Sequence, residues 1–123
     1  MDDKSSTGLI LLTYKGKALL MYKTDSPIDV EKHEWCFISG KKNDKESFEQ
    51  ALLRKVEKEA NIKVNEVELI SENFYHARLT DDNVNQIKRG ERQLLDFFTL
   101  RDIQKLHLEA STKSFISKFG NLI

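Results

Sequence analysis

Gly40-Lys41-Lys42-Asn43-Asp44-Lys45-Glu46-Ser47-Phe48-Glu49-Gln50-Ala51-Leu52-Leu53-Arg54-Lys55-Val56-Glu57-Lys58-Glu59-Ala60-Asn61-Ile62 is the stretch whose reading decides the fold. Its opening is a loop by composition, with Gly40, Asn43 and Asp44 set among lysines. Ser47, followed three residues later by Gln50, is a capping-box pair, in which each side chain satisfies an orphan amide of the other. The spacing predicts a helix from about Ser47 to Ala60, with Asn61 as a left-handed terminator. Phe48, Leu52, Val56 and Ala60 recur four apart and give that helix a face to bury, with Leu53 at its margin. Lys55, Lys58 and Glu59 fall in a separate polar cluster.

Upstream, Thr7 to Tyr14 and Ala18 to Lys23 are strand-like runs around Lys15-Gly16-Lys17, a turn with the glycine that tight reversals favour, so a hairpin is expected. Thr24 to His33 holds Pro27, the only proline, in a surface-loop composition, and Glu34 to Ile38 returns to an aromatic strand pattern. Downstream, Val67 to Ser71, Phe74 to Leu79 and Leu94 to Thr99 are strand candidates, and Thr80 to Gly90 reads as a short helix or loop. Thr99 is placed to cap a short helix through Leu106. Ser111 is placed to cap a last helix in which Phe115, Ile116 and Phe119 dock before Gly120 ends it. Strands alternating with few helices imply a mixed sheet covered on both faces.

Composition narrows the function. The 123 residues suit one domain, residues 1–123, with a real core. Twenty Lys+Arg balance twenty Asp+Glu, so no global field draws nucleic acid or a membrane surface, and any taste for anions must be local. A single cysteine, Cys36, rules out an intrachain disulfide framework and suits a reducing compartment. The start Met1-Asp2-Asp3-Lys4 is acidic where a signal peptide is basic, and the apolar run Leu9 to Leu12 is too short to span a bilayer, so the cytoplasm is the expected location.

From Gly40 there are five residues to Glu46, seven more to Arg54, then Val56, Glu59 and Ile62. This spacing resembles the Nudix box, and by that resemblance the chain is identified as a member of the Nudix hydrolase superfamily, the MutT-like proteins. Gly40, Glu46, Arg54, Val56, Glu59 and Ile62 fit the box, whereas Lys55, Lys58 and Asn61 stand where Glu, Glu and Gly are expected. The flanks agree: Trp35-Cys36-Phe37-Ile38-Ser39-Gly40 resembles the aromatic strand and Pro-Gly-Gly turn before the box, with Ile38 and Ser39 as departures. Gly90-Glu91-Arg92-Gln93 resembles the family's Glu-Gly-Gln loop, and Asp96-Phe97-Phe98 with the following segment its closing strand and helix.

The resemblance implies an α+β Nudix fold, an α/β/α sandwich with a mixed sheet and the loop-helix-loop. It also implies hydrolysis of a nucleoside-diphosphate-linked substrate with Mg2+ or Mn2+. Cleaving a diphosphate needs cations to neutralise crowded oxygens and a water activated for attack, and helix carboxylates one turn apart supply the metal ligands. Carried over by position, Glu59 is the retained ligand and Glu91 a further one, with Glu59, Arg54 and Glu46 in the catalytic set. Lys55, Lys58 and Gly40 fall on the substrate side, and Ser39 to Lys42 would form the turn behind the metals.

Replacing two anions by two cations changes the local charge by four units. A lysine about 5 Å from a divalent ion repels it by several kcal/mol even at an effective dielectric of about 20. Three arrangements are open to the lysines: swung outward, Lys55 paired with Glu59 one turn on, or in contact with phosphate. A solvated helix face of alternating charge is the plain reading beside these, and Glu46 equally serves to tie down its loop. His33, His76 and His107 lack the spacing of a metal site and read as structural, and Cys36 reads as a small core hydrophobe. Trp35 and Tyr75 read as sheet packing. Three functions follow: a hydrolase, first; a catalytically silent nucleotide-binding module that needs no metal; and a protein-interaction domain with a vestigial cleft.

Overall fold

The computed structural model describes residues 7–23, 34–71, 73–88 and 93–123. β1 (Thr7–Tyr14) and β2 (Lys17–Lys23) form the expected hairpin, turning through Lys15 at φ 49° and Gly16 at φ 80°. Two consecutive positive φ values make the kind of tight turn that matches strand twist. The hairpin pairs only at its closed end, Thr13 with Ala18 and Tyr14 with Lys17. Beyond it the two strands diverge, and the next segment fills the wedge.

That segment is where the structure departs from the sequence reading. A single strand from Glu34 to Ile38 followed by a turn is replaced by β3 (Trp35–Cys36), which pairs with β2, and β4 (Ile38–Lys41), which pairs with β1. Phe37 is the residue at which the chain changes partners. Its N–H leaves the ladder and donates to the buried Thr112 hydroxyl at 3.1 Å, so the break strands no amide. Ser39 and Gly40, expected in a turn, are strand residues facing Leu9 and Gly8 of β1.

The box helix is α1 (Phe48–Ala60). Ser47 and Gln50 form the reciprocal capping box, and Asn61 closes the helix at φ 61°, ψ 34°, donating its N–H to Glu57 O at 2.9 Å. β5 (Glu68–Ser71) and β6 (Phe74–Arg78) follow, then α2 (Asp81–Gln86), β7 (Gln93–Phe98), α3 (Leu100–Ile103) and α4 (Ala110–Phe119). β6 runs parallel to β1 and antiparallel to β5, while β7 runs antiparallel to β2, so the sheet is mixed.

Alternation along β1 builds a core on each side. Ile10 and Leu12 point to one face with Leu19, Met21, Ile38 and the Leu52, Val56 and Ala60 stripe of α1. Leu9 and Leu11 point to the other with Leu20, Phe37, Ile103 of α3 and Phe115 of α4. This is the helices-on-both-faces sheet that period-two strand patterning demands. Its mixed α+β layering agrees with the expected fold class.

Two helix ends differ from expectation. α4 is capped by Glu109, which accepts from Thr112 N at 3.1 Å and from the Ser111 hydroxyl, and Ser111 lies inside the helix. Cap type is the weaker guide here because the bridge of Leu108 with Trp35 fixes where the chain leaves the sheet. Gly120 ends α4 as expected, but at φ −57°, and it starts a 3-10 turn, Gly120–Leu122. A Cβ there would meet Leu100 Cδ1 at 3.1 Å, so close helix packing, not a left-handed cap, selects glycine. The expected helix through Leu106 ends at Ile103. Among the described residues no helix is long and apolar enough to cross a membrane.

Candidate functional site

The loop between β4 and α1 is clamped from both ends. Glu46 Oε1 accepts from Arg54 Nη2 at 2.7 Å and from Asn43 N at 3.2 Å, while Asn43 Oδ1 accepts from Lys45 N at 3.0 Å. Arg54 Nη2 also reaches Lys41 O at 3.5 Å. The hydrogen bond from Arg54 holds the Glu46 carboxyl below the usual carboxylate range, and Glu46 in turn raises the Arg54 guanidinium. Of the two uses open to Glu46, loop tie and metal ligand, the geometry supplies the first. Lys42 adds a cation over the Phe48 ring, 5.6 Å from its centroid.

Glu59 is not on an open polar face. It is 8% exposed on the last turn of α1, where the buried Val56 and Ala60 hold that helix against the sheet. Lys55, one turn earlier, brings Nζ to 4.0 Å from Glu59 Oε1, with 25% of its own side chain exposed. Of the three arrangements open to Lys55, this is the pairing one. Its stem lies on β4: a Cβ built on Gly40 would stand 3.5 Å from Lys55 Cβ. Gly40 therefore meets the helix and β1. Lys58 is exposed and makes no ion pair among the described residues. Glu91 lies outside the described residues, as do Gly90, Arg92 and the loop Thr24 to His33.

Asn61, at the box position where glycine is expected, keeps the backbone conformation glycine would serve. Its side chain adds a bond glycine lacks, Nδ2 to Gln86 O at 3.1 Å, and Lys88 N donates to Ala60 O at 3.1 Å. Asn83 Nδ2 donates to Lys63 O at 3.2 Å. The segment carrying α2 is thus stitched to the end of α1 that bears Glu59.

Among the described residues, no three His, Cys, Asp or Glu side chains come together in a way that could hold a metal ion. Glu59 shares its place with an ammonium and Glu46 is committed to Arg54, so the described residues do not fit a divalent ion unaided. His76 is buried and structural, its Nε2 2.8 Å from Thr13 Oγ1. Trp35 packs edge-on against Phe98 with centroids 4.9 Å apart, as expected of sheet packing.

What the sequence reading missed is a cavity of about 940 Å³ on the α4 side of the sheet. Cys36, Ser39, Asn73, Phe74, Glu109 and Ser111 are among its walls, so Cys36 is half-buried, packed against the α1-side core and also lining a pocket. No local pattern marks these residues. They converge only because β3 and β4 wedge between β1 and β2 while the bridge at Trp35 brings the start of α4 alongside.

A mixed sheet with helices on both faces and a clamped loop-helix-loop is the arrangement of a Nudix domain. The sequence model of the family described as NUDIX domain matches residues 3–119, and the chain belongs to that family. Its fold is similar to that of a MutT NUDIX hydrolase from Burkholderia pseudomallei (TM-score 0.72, 20% identity, 92% of this chain and 95% of that one). It is similar also to the E. coli ORF135 protein (TM-score 0.68, 19% identity, 94% and 88%). A C. elegans Ap4A hydrolase is alike to the same degree (TM-score 0.68, 19% identity, 94% and 95%). Comparison with the curated proteins finds no match. Nudix hydrolases generally use divalent metals and act on nucleotide-linked diphosphates.

Proposed function

We propose that this chain, a single Nudix domain over residues 1–123 working in the cytoplasm, is an attenuated hydrolase of a nucleoside-diphosphate-linked small molecule. Nucleic acid and membranes are not its partners on this reading. The observation that carries the proposal is the box kept as a built element, with Arg54 clamping Glu46 at 2.7 Å and Glu59 on the last turn of the helix that this loop enters. That clamp sets the loop against α1, and pre-set geometry is what in-line attack on a diphosphate requires. Glu59 is the carboxylate beside the reacting group, Lys55 and Lys58 are phosphate cations, and Glu91 is assigned to the metal. Magnesium or manganese binds weakly, because Lys55 competes for Glu59.

The test is release of phosphate or nucleotide across a panel of diphosphate compounds with Mg2+ or Mn2+, for the wild type and for the Lys55→Glu, Lys58→Glu double substitution. Slow turnover in the wild type and faster, metal-responsive turnover in the double variant are expected. No turnover by either protein would overturn the hydrolase reading. A second reading, a silent binding module in the same cleft, is favoured by the Lys55 to Glu59 contact, and predicts a nucleotide-induced rise in melting temperature without turnover.

A further inference from the structure

We infer that Lys55 is the resident counter-cation of this cleft: its ammonium takes the place of a divalent ion beside Glu59 and lets a diphosphate bind without metal. The inference rests on the diphosphate reading above and adds to it which cation meets the phosphates. Three observations support it. Lys55 Nζ already stands 4.0 Å from Glu59 Oε1, on a carboxylate that is 8% exposed. The lysine stem is held in place, since Lys55 Cβ and Cγ lie over the bare backbone of Gly40, 3.5 and 3.7 Å from where a Cβ would be. Among the described residues, no three metal-ligating side chains meet to supply an alternative cation site.

The chemistry of the contact suits exchange. At 4.0 Å the pair is Coulombic, longer than a hydrogen bond of about 2.7–2.9 Å, so the ammonium swings toward a phosphate oxygen without breaking a short bond. Lysine offers three donors and a point charge, which neutralises phosphate oxygens. It does not acidify a bound water as a metal does, so binding is preserved while turnover is slowed.

Calorimetric titration with ADP and with inorganic pyrophosphate, in excess EDTA and again with magnesium, tests this. The wild type is expected to bind both in EDTA with affinity close to that in magnesium. Lys55→Met is expected to lose about tenfold or more in affinity, Lys55→Arg to keep most of it, and Lys58→Met to lose less than Lys55→Met. Gly40→Val, which keeps every charge but pushes the Lys55 stem off β4, is expected to weaken binding in the same direction, with circular dichroism reporting that each variant is folded. Binding by the wild type only when magnesium is present would overturn the inference and leave the diphosphate reading standing. Equal losses at Lys55 and Lys58 would assign the effect to net charge and overturn it too. Binding of neither ligand in either buffer would overturn both.

Discussion

Arg54, in the second turn of α1, holds Glu46 of the preceding loop at 2.7 Å between Nη2 and Oε1, so helix and loop form one clamped unit. Because Arg54 keeps the folded carboxyl below its ordinary value near 4.5, the clamp is fully present above that pH and fades as pH falls through the folded value. Glu46→Gln is expected to speed amide exchange at Asn43, whose N–H the carboxylate accepts, while the buried strands exchange as before. Unchanged exchange at Asn43 would show that the loop is held by other contacts.

His76 gives a second, higher pH dependence. Burial, and next the Arg78 charge, depress its pKa below 6.5, against a smaller upward pull from Glu68, whose Oε1 is 3.8 Å from Nδ1. The folded state thus binds the proton less readily than the unfolded one. Stability from neutral His76 is complete above about pH 6.5 and falls as pH drops through the folded value. Urea midpoints at pH 7.5 and 5.5 are expected to converge in His76→Gln, and an undiminished difference there would acquit His76. Thr13→Val, which leaves Nε2 without its 2.8 Å partner, is expected to cost about 1–3 kcal/mol.

Gly8 and Gly40 face each other across β1 and β4, yet they tolerate substitution differently. A Cβ on Gly8 would lie 3.1 Å from Leu52 Cδ1 and from Phe48 Cδ1, and 3.2 Å from Asn73 O, a backbone atom with little room to give. On Gly40 the nearest atom would be 3.5 Å away, an ordinary contact. Gly8→Ala is expected to destabilise by about 1–3 kcal/mol, and Gly40→Ala to leave the thermal midpoint nearly unchanged. The reverse order would mean that the helix rests on β4 and not on β1.

Asn61 is expected to behave as a left-handed cap with one extra bond. Asn61→Ala places a Cβ residue without local compensation at φ 61° and also loses the bond to Gln86 O, for a cost of about 1–2 kcal/mol. Asn61→Gly keeps the conformation and loses only the side-chain bond, so it is expected to fall between wild type and Ala in denaturant midpoint. An Ala variant as stable as the Gly variant would refute the cap.

Local patterns carried much of this fold. The 3.6-residue period of Leu52, Val56 and Ala60, the Ser47 and Gln50 box and the Lys15-Gly16 turn are each satisfied by neighbours a few residues away, so spacing alone exposes them. The same holds for Thr99, whose hydroxyl caps α3. Where the reading failed, the deciding contact was distant in sequence. Phe37 breaks its strand because Thr112 receives its amide, and Glu109 caps α4 because Trp35 anchors the chain there.

The box shows the same division. Sequence by itself determined that Glu46, Arg54, Val56, Glu59 and Ile62 share one loop-helix-loop that follows Gly40, because box spacing and helical period are local properties, and that Lys55 and Lys58 replace carboxylates. Only the tertiary structure decided which lysine meets Glu59, that Glu46 serves the loop, and that Cys36 and Glu109 share a cavity. Periodicity fixes which way a side chain leaves its element. What it then meets depends on how β1 and β2 diverge and what packs into the gap, which residues far apart in the chain settle together.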